Sequence, residues 1–373
     1  MTKPVRDPRP RPDGESGPVL VTGASGHLGA NLVRRLLADG EPVRVFLHPD
    51  HDDRGVDGLD LERTWGDLRD PRAIDGAVRG CARVYHCGAL VSTLEGDSRH
   101  RRLLFETNVL GTRHVLEAAH RHGVRRVVVT GSFSAVGYHI DDPAAPSDES
   151  VAFYPFHRAM PYERTKVLAE LECLRAAARG LDVVVATSCA ILGGNDFLPS
   201  RMGRALCDFA NGRLRAYIPG GFEFVSARDI VEGHRLAMAR GRSGEKYIFS
   251  TRFATLDEIL ELFEGVTGTP RPRLRLPAPV MAAFAGAASP LWSRFLPRVP
   301  QRLTPGAIRL LRMRRHADTS KARDELGFRA TGLESAIEDA YAFHHARGAI
   351  RSPAARTPVA VAPAPLRSDS PVA

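Results

Sequence analysis

Tyr162 and Lys166 stand four residues apart in Pro161-Tyr162-Glu163-Arg164-Thr165-Lys166, a spacing that puts both side chains on one face of a helix. An ammonium beside a phenol favours the phenolate and draws the tyrosine pKa down from about 10. Such a tyrosine can give a proton to a ketone oxygen or take one from an alcohol. With seven Tyr and four Lys in 373 residues, chance yields the spacing about 0.08 times per chain; the plain alternative is a surface helical pair. A hydroxyl able to hold the same oxygen follows an apolar run in Val127-Val128-Val129-Thr130-Gly131-Ser132-Phe133-Ser134. Ser132 is the candidate and Ser134 the fallback, with Thr130 capping the run or pointing into a sheet. Asn108, flanked by apolar residues inside a helical pattern, is expected to face the interior of the same site.

A second motif supplies a partner for that chemistry. Val19-Leu20-Val21-Thr22 runs into glycines at every third position, Gly23, Gly26 and Gly29, and then into an amphipathic pattern through Leu37. A strand, a glycine turn and a helix make a helix N-terminus whose free N–H groups can hold a pyrophosphate. At the end of the next apolar run stands His48, followed by Pro49 and Asp50. A carboxylate there suits the free ribose of NAD and a cation suits the 2′-phosphate of NADP. His48 leans the reading to NADP, with NAD as the alternative. Asp67, in Gly66-Asp67-Leu68, reads either as an adenine-side contact or as a turn residue before a helix.

These residues need elements to position them. Strand-like runs at 18–22, 42–47, 82–87, 125–130 and 181–187 alternate with helical patterns at 28–39, 70–79, 100–121 and 162–179. Alternation of that kind predicts an α/β fold with a doubly wound parallel sheet, whose ligands sit at the carboxyl ends of strands. Beyond 190 the pattern is looser. It suggests a dinucleotide-binding unit of 18–190 plus about 222–250, and a smaller, mostly helical substrate unit of 191–221 plus 251–347. Residues 1–16 and 351–373, rich in Pro, Arg, Ser and Ala, read as disordered tails.

The net charge of +9 comes from one segment: residues 269–323 hold twelve Lys and Arg against one acid. That distribution argues against nucleic-acid binding. The five cysteines lack metal-site spacing, which predicts no metal and reduced thiols in a cytoplasm. No apolar run reaches the length of a membrane span. Residues 277–297 are apolar with arginines on both flanks, from Arg271 to Arg315. They read as a core helix with a solvated basic rim, or as a lid that also rests on anionic lipid. Either favours a lipophilic substrate.

Thr22-Gly23-x-x-Gly26-x-x-Gly29, Asp67-Leu68, Asn108-Val109-x-Gly111-Thr112, Ser132, Tyr162-x-x-x-Lys166 and the late Asp318-Thr319-Ser320-Lys321-Ala322 together resemble the extended short-chain dehydrogenase/reductases, over about residues 18–347. Within them the chain is similar to the dihydroflavonol-4-reductase-like and 3β-hydroxysteroid-dehydrogenase-like branch. The resemblance implies a Rossmann fold, catalysis by Ser132, Tyr162 and Lys166 with Asn108 in a proton relay, and a homodimer through the 100–121 and 162–179 helices. It places the dinucleotide against Thr22, Gly23, Ser25, Gly26, His27, Leu28, Gly29, His48, Asp67, Leu68, Cys87, Gly88, Ala89, Thr130, Tyr162, Lys166, Thr187 and Cys189. Three positions depart from the pattern. His48 stands for a more basic residue, Thr187-Ser188-Cys189 for Asn-Pro-Ser, and Cys87-Gly88-Ala89 for an alanine pair. The implied reaction interconverts a ketone and a secondary alcohol on a small lipophilic molecule. Its rivals are a nucleotide-sugar epimerase or dehydratase and a non-catalytic nucleotide sensor.

Overall fold

The computed structural model describes residues 17–142, 144–153, 156–283 and 304–351. The tails expected at 1–16 and 351–373 lie, Arg351 apart, outside the described residues, as does most of the apolar segment 277–297. Seven parallel strands form the main sheet in the order β10-β6-β5-β4-β1-β2-β3. They are β1 (Val19–Thr22), β2 (Val43–Leu47), β3 (Glu62–Trp65), β4 (Arg83–His86), β5 (Arg126–Ser132), β6 (Val183–Ser188) and β10 (Lys246–Phe249). Val127, Val128, Val183 and Val184 are shielded almost completely, because crossover helices cover both faces of a parallel sheet. Helix α1 (His27–Ala38), α7 (Ala227–Arg240) and α10 (Ser320–Leu326) enclose one apolar layer with the sheet. Helices α2 (Pro71–Val78), α4 (Gly111–Arg121) and α5 (Pro161–Ala178) enclose the other.

A second, three-stranded sheet of order β11-β9-β7 carries the smaller lobe. Beside a two-residue β8 (Ala216–Tyr217), which pairs with Leu274–Arg275, its strands are β7 (Ala190–Leu192), β9 (Gly221–Ser226) and β11 (Arg252–Thr255). They pack with α6 (Arg201–Ala210), α8 (Leu256–Thr267) and α11 (Leu333–Ala346) around Phe209, Phe224 and Phe263. Within 222–250 only β10 joins the main sheet, since β9 pairs with β7 and β11 instead.

The helical stretch expected at 100–121 is broken in phase. Helix α3 (Ser98–Phe105) passes through a π turn at Glu106–Leu110 before α4 begins. A π turn inserts one residue into the helical count and occurs often at functional sites.

Several basic residues near the apolar segment are engaged within the chain. Arg271 pairs with Glu261 and Glu264, and Arg275 with Asp257. Arg309, on α9 (Pro305–Met313), bonds Glu163. Arg315 is buried. No helix among the described residues is long and apolar enough to cross a membrane.

Candidate active site

The switch in strand order falls between β1 and β4, where a parallel sheet opens a crevice at its carboxyl edge. Gly23 turns the chain there at φ +67°, and a Cβ on it would lie 2.6 Å from the Gly88 Cα. A Cβ on Gly29 would lie 2.2 Å from the Gly23 carbonyl oxygen. Both glycines are therefore demanded by backbone-to-backbone contact. Gly26 caps α1 without a side-chain hydrogen bond, and the first turn of α1 carries no acid. The amides at that end are left for a negatively charged group, so the cradle fits a dinucleotide pyrophosphate. Leu28 is buried in the core, and Ser25 lies against Gly55. His27 reaches away from the loop to the Gly194 carbonyl at 3.0 Å and ties α1 to the smaller lobe.

At the end of β2, His48 Nε2 lies 3.3 Å from Asp67 Oδ2, and the His48 ring stacks on His51 at 4.3 Å. Asp67 also accepts from the Arg69 guanidinium at 2.5 Å. Partial burial pushes the Asp67 carboxyl up, but Arg69 and His48 outweigh it and hold it down at about 2. The ribose end of the crevice thus holds a carboxylate already shared between an arginine and a histidine. Leu68 packs against the Cα sides of Gly88 and Gly111, joining the loops after β3 and β4 to the start of α4.

Three threonines assigned to the dinucleotide turn their hydroxyls elsewhere. Thr22 bonds His86 at 2.7 Å, Thr130 bonds His234 at 2.8 Å, and Thr187, wholly shielded, lies against Gly131. Side chains alternate along a strand, so contact with a ligand at these positions falls to the backbone. Cys87, Gly88 and Ala89 follow β4 as a loop whose Cys87 N–H donates to the Thr22 carbonyl at 3.2 Å. Cys189 follows β6 and is half-buried.

Ser132 ends β5, and Tyr162 and Lys166 lie on the first turns of α5. Lys166 is 8% exposed and donates from Nζ to the Thr130 carbonyl at 2.7 Å. Burial raises the Tyr162 phenol and Ser132 partly offsets it through a hydrogen bond, while Lys166 is engaged on the β5 carbonyl. Burial also lowers the Lys166 ammonium, with Glu170 opposing. Ser132 Oγ and Ser134 Oγ are 2.8 Å apart, so the fallback residue supports the candidate. Asn108 sits in the π turn, 2% exposed, and faces inward. It accepts from Leu90 N at 2.7 Å and donates to Leu90 O at 2.9 Å and Thr165 Oγ1 at 3.0 Å. The side chain thereby fastens the loop after β4 to the helix that carries Tyr162 and Lys166.

Several supporting residues escaped the sequence reading. Thr112 donates to the Asn108 carbonyl at 2.7 Å, so its oxygen accepts from His86 Nε2 at 3.0 Å, and His86 Nδ1 accepts from Thr22. This buried chain runs from the π turn to the glycine loop through a neutral imidazole. Burial, aided by the Lys166 charge, lowers the His86 pKa to about 3. A histidine ending the apolar run Val84-Tyr85 was the signal for it. On α7, His234 is likewise held neutral by burial, at about 4.

From the smaller lobe, Arg309 donates to Glu163 Oε2 at 2.7 Å, and the same oxygen accepts from Met160 N at 2.6 Å. Arg315 donates to the Val136 and Gly137 carbonyls at 2.8 and 2.7 Å, on the loop that follows Ser132. No local pattern announces these contacts, because their partners are far away in sequence.

Residues 19–249 match the model of the NAD dependent epimerase/dehydratase family. Sterol demethylase protein B of Methylococcus capsulatus is 46% identical over 331 residues, covering 89% of this chain and 99% of that one. A 4-hydroxy-2-methyl-3-oxo-4-farnesyl-3,4-dihydroquinoline-1-oxide ketoreductase of Stigmatella aurantiaca is 30% identical, covering 83% and 91%. The crystal structure of gox2253 superposes with a TM-score of 0.77 at 28% identity, covering 90% of this chain and 100% of that one. With this coverage and a glycine cradle of the matching kind, the chain belongs to the NAD dependent epimerase/dehydratase family, the extended short-chain dehydrogenase/reductases.

Proposed function

We propose that this protein interconverts a secondary alcohol and a ketone on a lipophilic polycyclic or terpenoid molecule, a sterol-like ring system foremost. What supports the reading is Ser132 at the carboxyl end of β5, hydrogen-bonded to Tyr162 on the first turn of α5, with Lys166 one turn on and bonded to the Thr130 carbonyl of β5. The hydride chemistry is supplied by a bound nicotinamide dinucleotide. The α1 N-terminus and the Gly23–Gly29 loop hold its pyrophosphate, and His48 with Asp67 meets its adenosine ribose. We assign NADP on the imidazole at His48, with NAD the alternative. Ser132 and Tyr162 hold the substrate oxygen, and Tyr162 passes the proton. Lys166 would hold the nicotinamide ribose and favour the phenolate, countering the burial that raises the phenol.

Two relatives support the substrate class, since one bears the name of a sterol demethylase component and the other is a ketoreductase of a farnesylated quinoline oxide. The smaller lobe, 191–221 with 251–347, would receive the apolar part of the substrate. Leu171 and Leu174, each 53% exposed on α5, mark the face we assign to a homodimer contact.

Tyr162→Phe tests the reading. Sterol-like ketones and alcohols serve as substrates with NADPH or NADH, and coenzyme binding is followed by fluorescence. Loss of the proton donor is expected to cut turnover by about 10²–10⁴ with coenzyme affinity nearly unchanged. A variant that keeps more than about half its turnover refutes the assignment.

A further inference from the structure

Glu170 stands four residues beyond Lys166 on α5, one turn along the same face, with about 6 Å between Cβ atoms at that spacing. Its side chain is 15% exposed, and Oε2 lies 3.4 Å from the Lys246 ammonium at the start of β10. Its other oxygen, Oε1, is shielded from solvent and has no hydrogen-bond partner among the described residues. A bare carboxylate oxygen in such a place is costly unless a charge compensates it. Lys166 has the converse need. Its ammonium is desolvated, and the bond to the Thr130 carbonyl satisfies a donor but neutralises no charge.

The composition adds weight. The chain has 48 Arg and four Lys, and the three lysines within the fold gather here. Lys246 faces Glu170, while Lys321 donates to Glu245 at 2.6 Å and to the Lys246 carbonyl at 3.0 Å. Glu170, Lys246, Glu245 and Lys321 border one cleft, where Asp148 and Glu149 also lie. A compact ammonium acts as a point charge and titrates readily when buried, whereas guanidinium does neither.

We propose that Glu170 is the counter-ion of Lys166, shared with Lys246, and that this Lys–Glu–Lys triad keeps the Lys166 ammonium charged inside the fold. Glu170 is thus a positioning residue, acting on the proton-transfer pair through Lys166. The inference rests on the Tyr162–Lys166 reading only for its catalytic consequence. Its electrostatic content stands without it.

The groups that face the triad are few. Cys173 lies on α5 itself, Cys87 follows β4, and the Lys166 charge bears on His86 of β4 and His234 of α7. Both imidazoles are held neutral by burial, and both thiols are pushed up by it. Glu170 is therefore the carboxyl group that acts on Lys166, and the burial that raises its own pKa is opposed first by Lys246 and then by Lys166. Burial lowers the Lys166 pKa, and Glu170 is the largest opposing influence.

Lysine labelled with ¹³C at Cε gives four signals in the full chain, each assigned by its loss in a Lys→Gln variant. Titration without added dinucleotide then reads the Lys166 midpoint directly. In Glu170→Gln it should fall by about one pH unit, the scale on which a single partly buried charge acts over one helical turn. In Lys246→Met it should rise, because Glu170 then has one cation to serve instead of two. Glu170→Asp should recover part of the wild-type midpoint. The descending alkaline limb of alcohol oxidation should follow the Lys166 midpoint in each variant. Thermal unfolding of each variant is recorded alongside. An unmoved Lys166 midpoint in Glu170→Gln, or a fall in Lys246→Met, overturns the proposal. If Glu170→Gln does not fold, the sign of the Lys246→Met shift decides, since that side chain is 23% exposed on an edge strand. Midpoints that move as expected, alongside a Tyr162→Phe variant that stays active, would refute the catalytic reading and leave the triad standing.

Discussion

Replacing Asn108 by Asp changes one terminal group in the buried π turn and reverses the direction in which it must bond. Oδ1 accepts from Leu90 N at 2.7 Å, and a carboxylate oxygen would go on doing so. Nδ2 donates to Leu90 O at 2.9 Å and to Thr165 Oγ1 at 3.0 Å, which a carboxylate cannot do. The Thr165 hydroxyl cannot turn to repair the loss, because it already donates to the Tyr162 carbonyl at 2.8 Å. The variant therefore leaves a buried carbonyl facing an oxygen. An unsatisfied buried acceptor costs roughly 1–3 kcal/mol, and burying the new charge brings the expected loss to about 2–4 kcal/mol.

The loss carries a signature in pH. Burial raises the folded-state pKa of the new carboxyl above its unfolded value of about 3.9. A raised folded pKa contributes stability that is fully present below the unfolded pKa and is lost as pH rises through the folded one. In the protonated form the acid O–H can donate to Leu90 O again. Urea unfolding of Asn108→Asp and wild type at about pH 5 and pH 8 should show a deficit that grows at the higher pH. A deficit below about 0.5 kcal/mol at the higher pH, or one equal at both, would refute the reasoning. It would mean that the Nδ2 bonds do not fasten the loop after β4.

Lys166→Arg keeps the charge but brings a broad, planar group to a position that is 8% exposed, so coenzyme affinity and turnover should both fall by tenfold or more, about 1.4 kcal/mol each. Steady-state kinetics with wild-type constants would show that the position needs only a cation. His48→Asp sets a second carboxylate against Asp67, which is already held ionised. It should move the NADPH-to-NADH ratio of kcat/KM toward NADH by about tenfold, and an unchanged ratio would place ribose discrimination elsewhere.

The strand–turn–helix units were legible because both ends of each leave local traces: valine runs such as Val183-Val184-Val185 and glycines that no other residue can replace. Tyr162 and Lys166 were legible for the same reason, since a four-residue spacing on a helix is a local geometry. Asn108 was read as facing inward, but the π turn that sets its direction was not, because one inserted residue barely alters the apolar spacing of 98–121. The pairing of Arg309 with Glu163 joins residues 146 apart, and Arg315 reaches carbonyls nearly 180 residues away. Contacts of that range have no period.

The hold that the 305–315 segment exerts on Glu163 and on the Ser132–Gly137 loop has a bearing on synthesis. A ribosome that has released the first 300 residues has already delivered Ser132, Tyr162, Lys166 and the glycine cradle. Arg309 and Arg315, which brace the helix of Tyr162 and the loop after Ser132, have not yet emerged. Domains fold largely from the N-terminus as they are made, so the nascent sheet forms before its bracing arrives. A chain arrested near residue 300 would carry Ser132, Tyr162 and Lys166 without the two arginines that hold the helix of Tyr162 and the loop after Ser132.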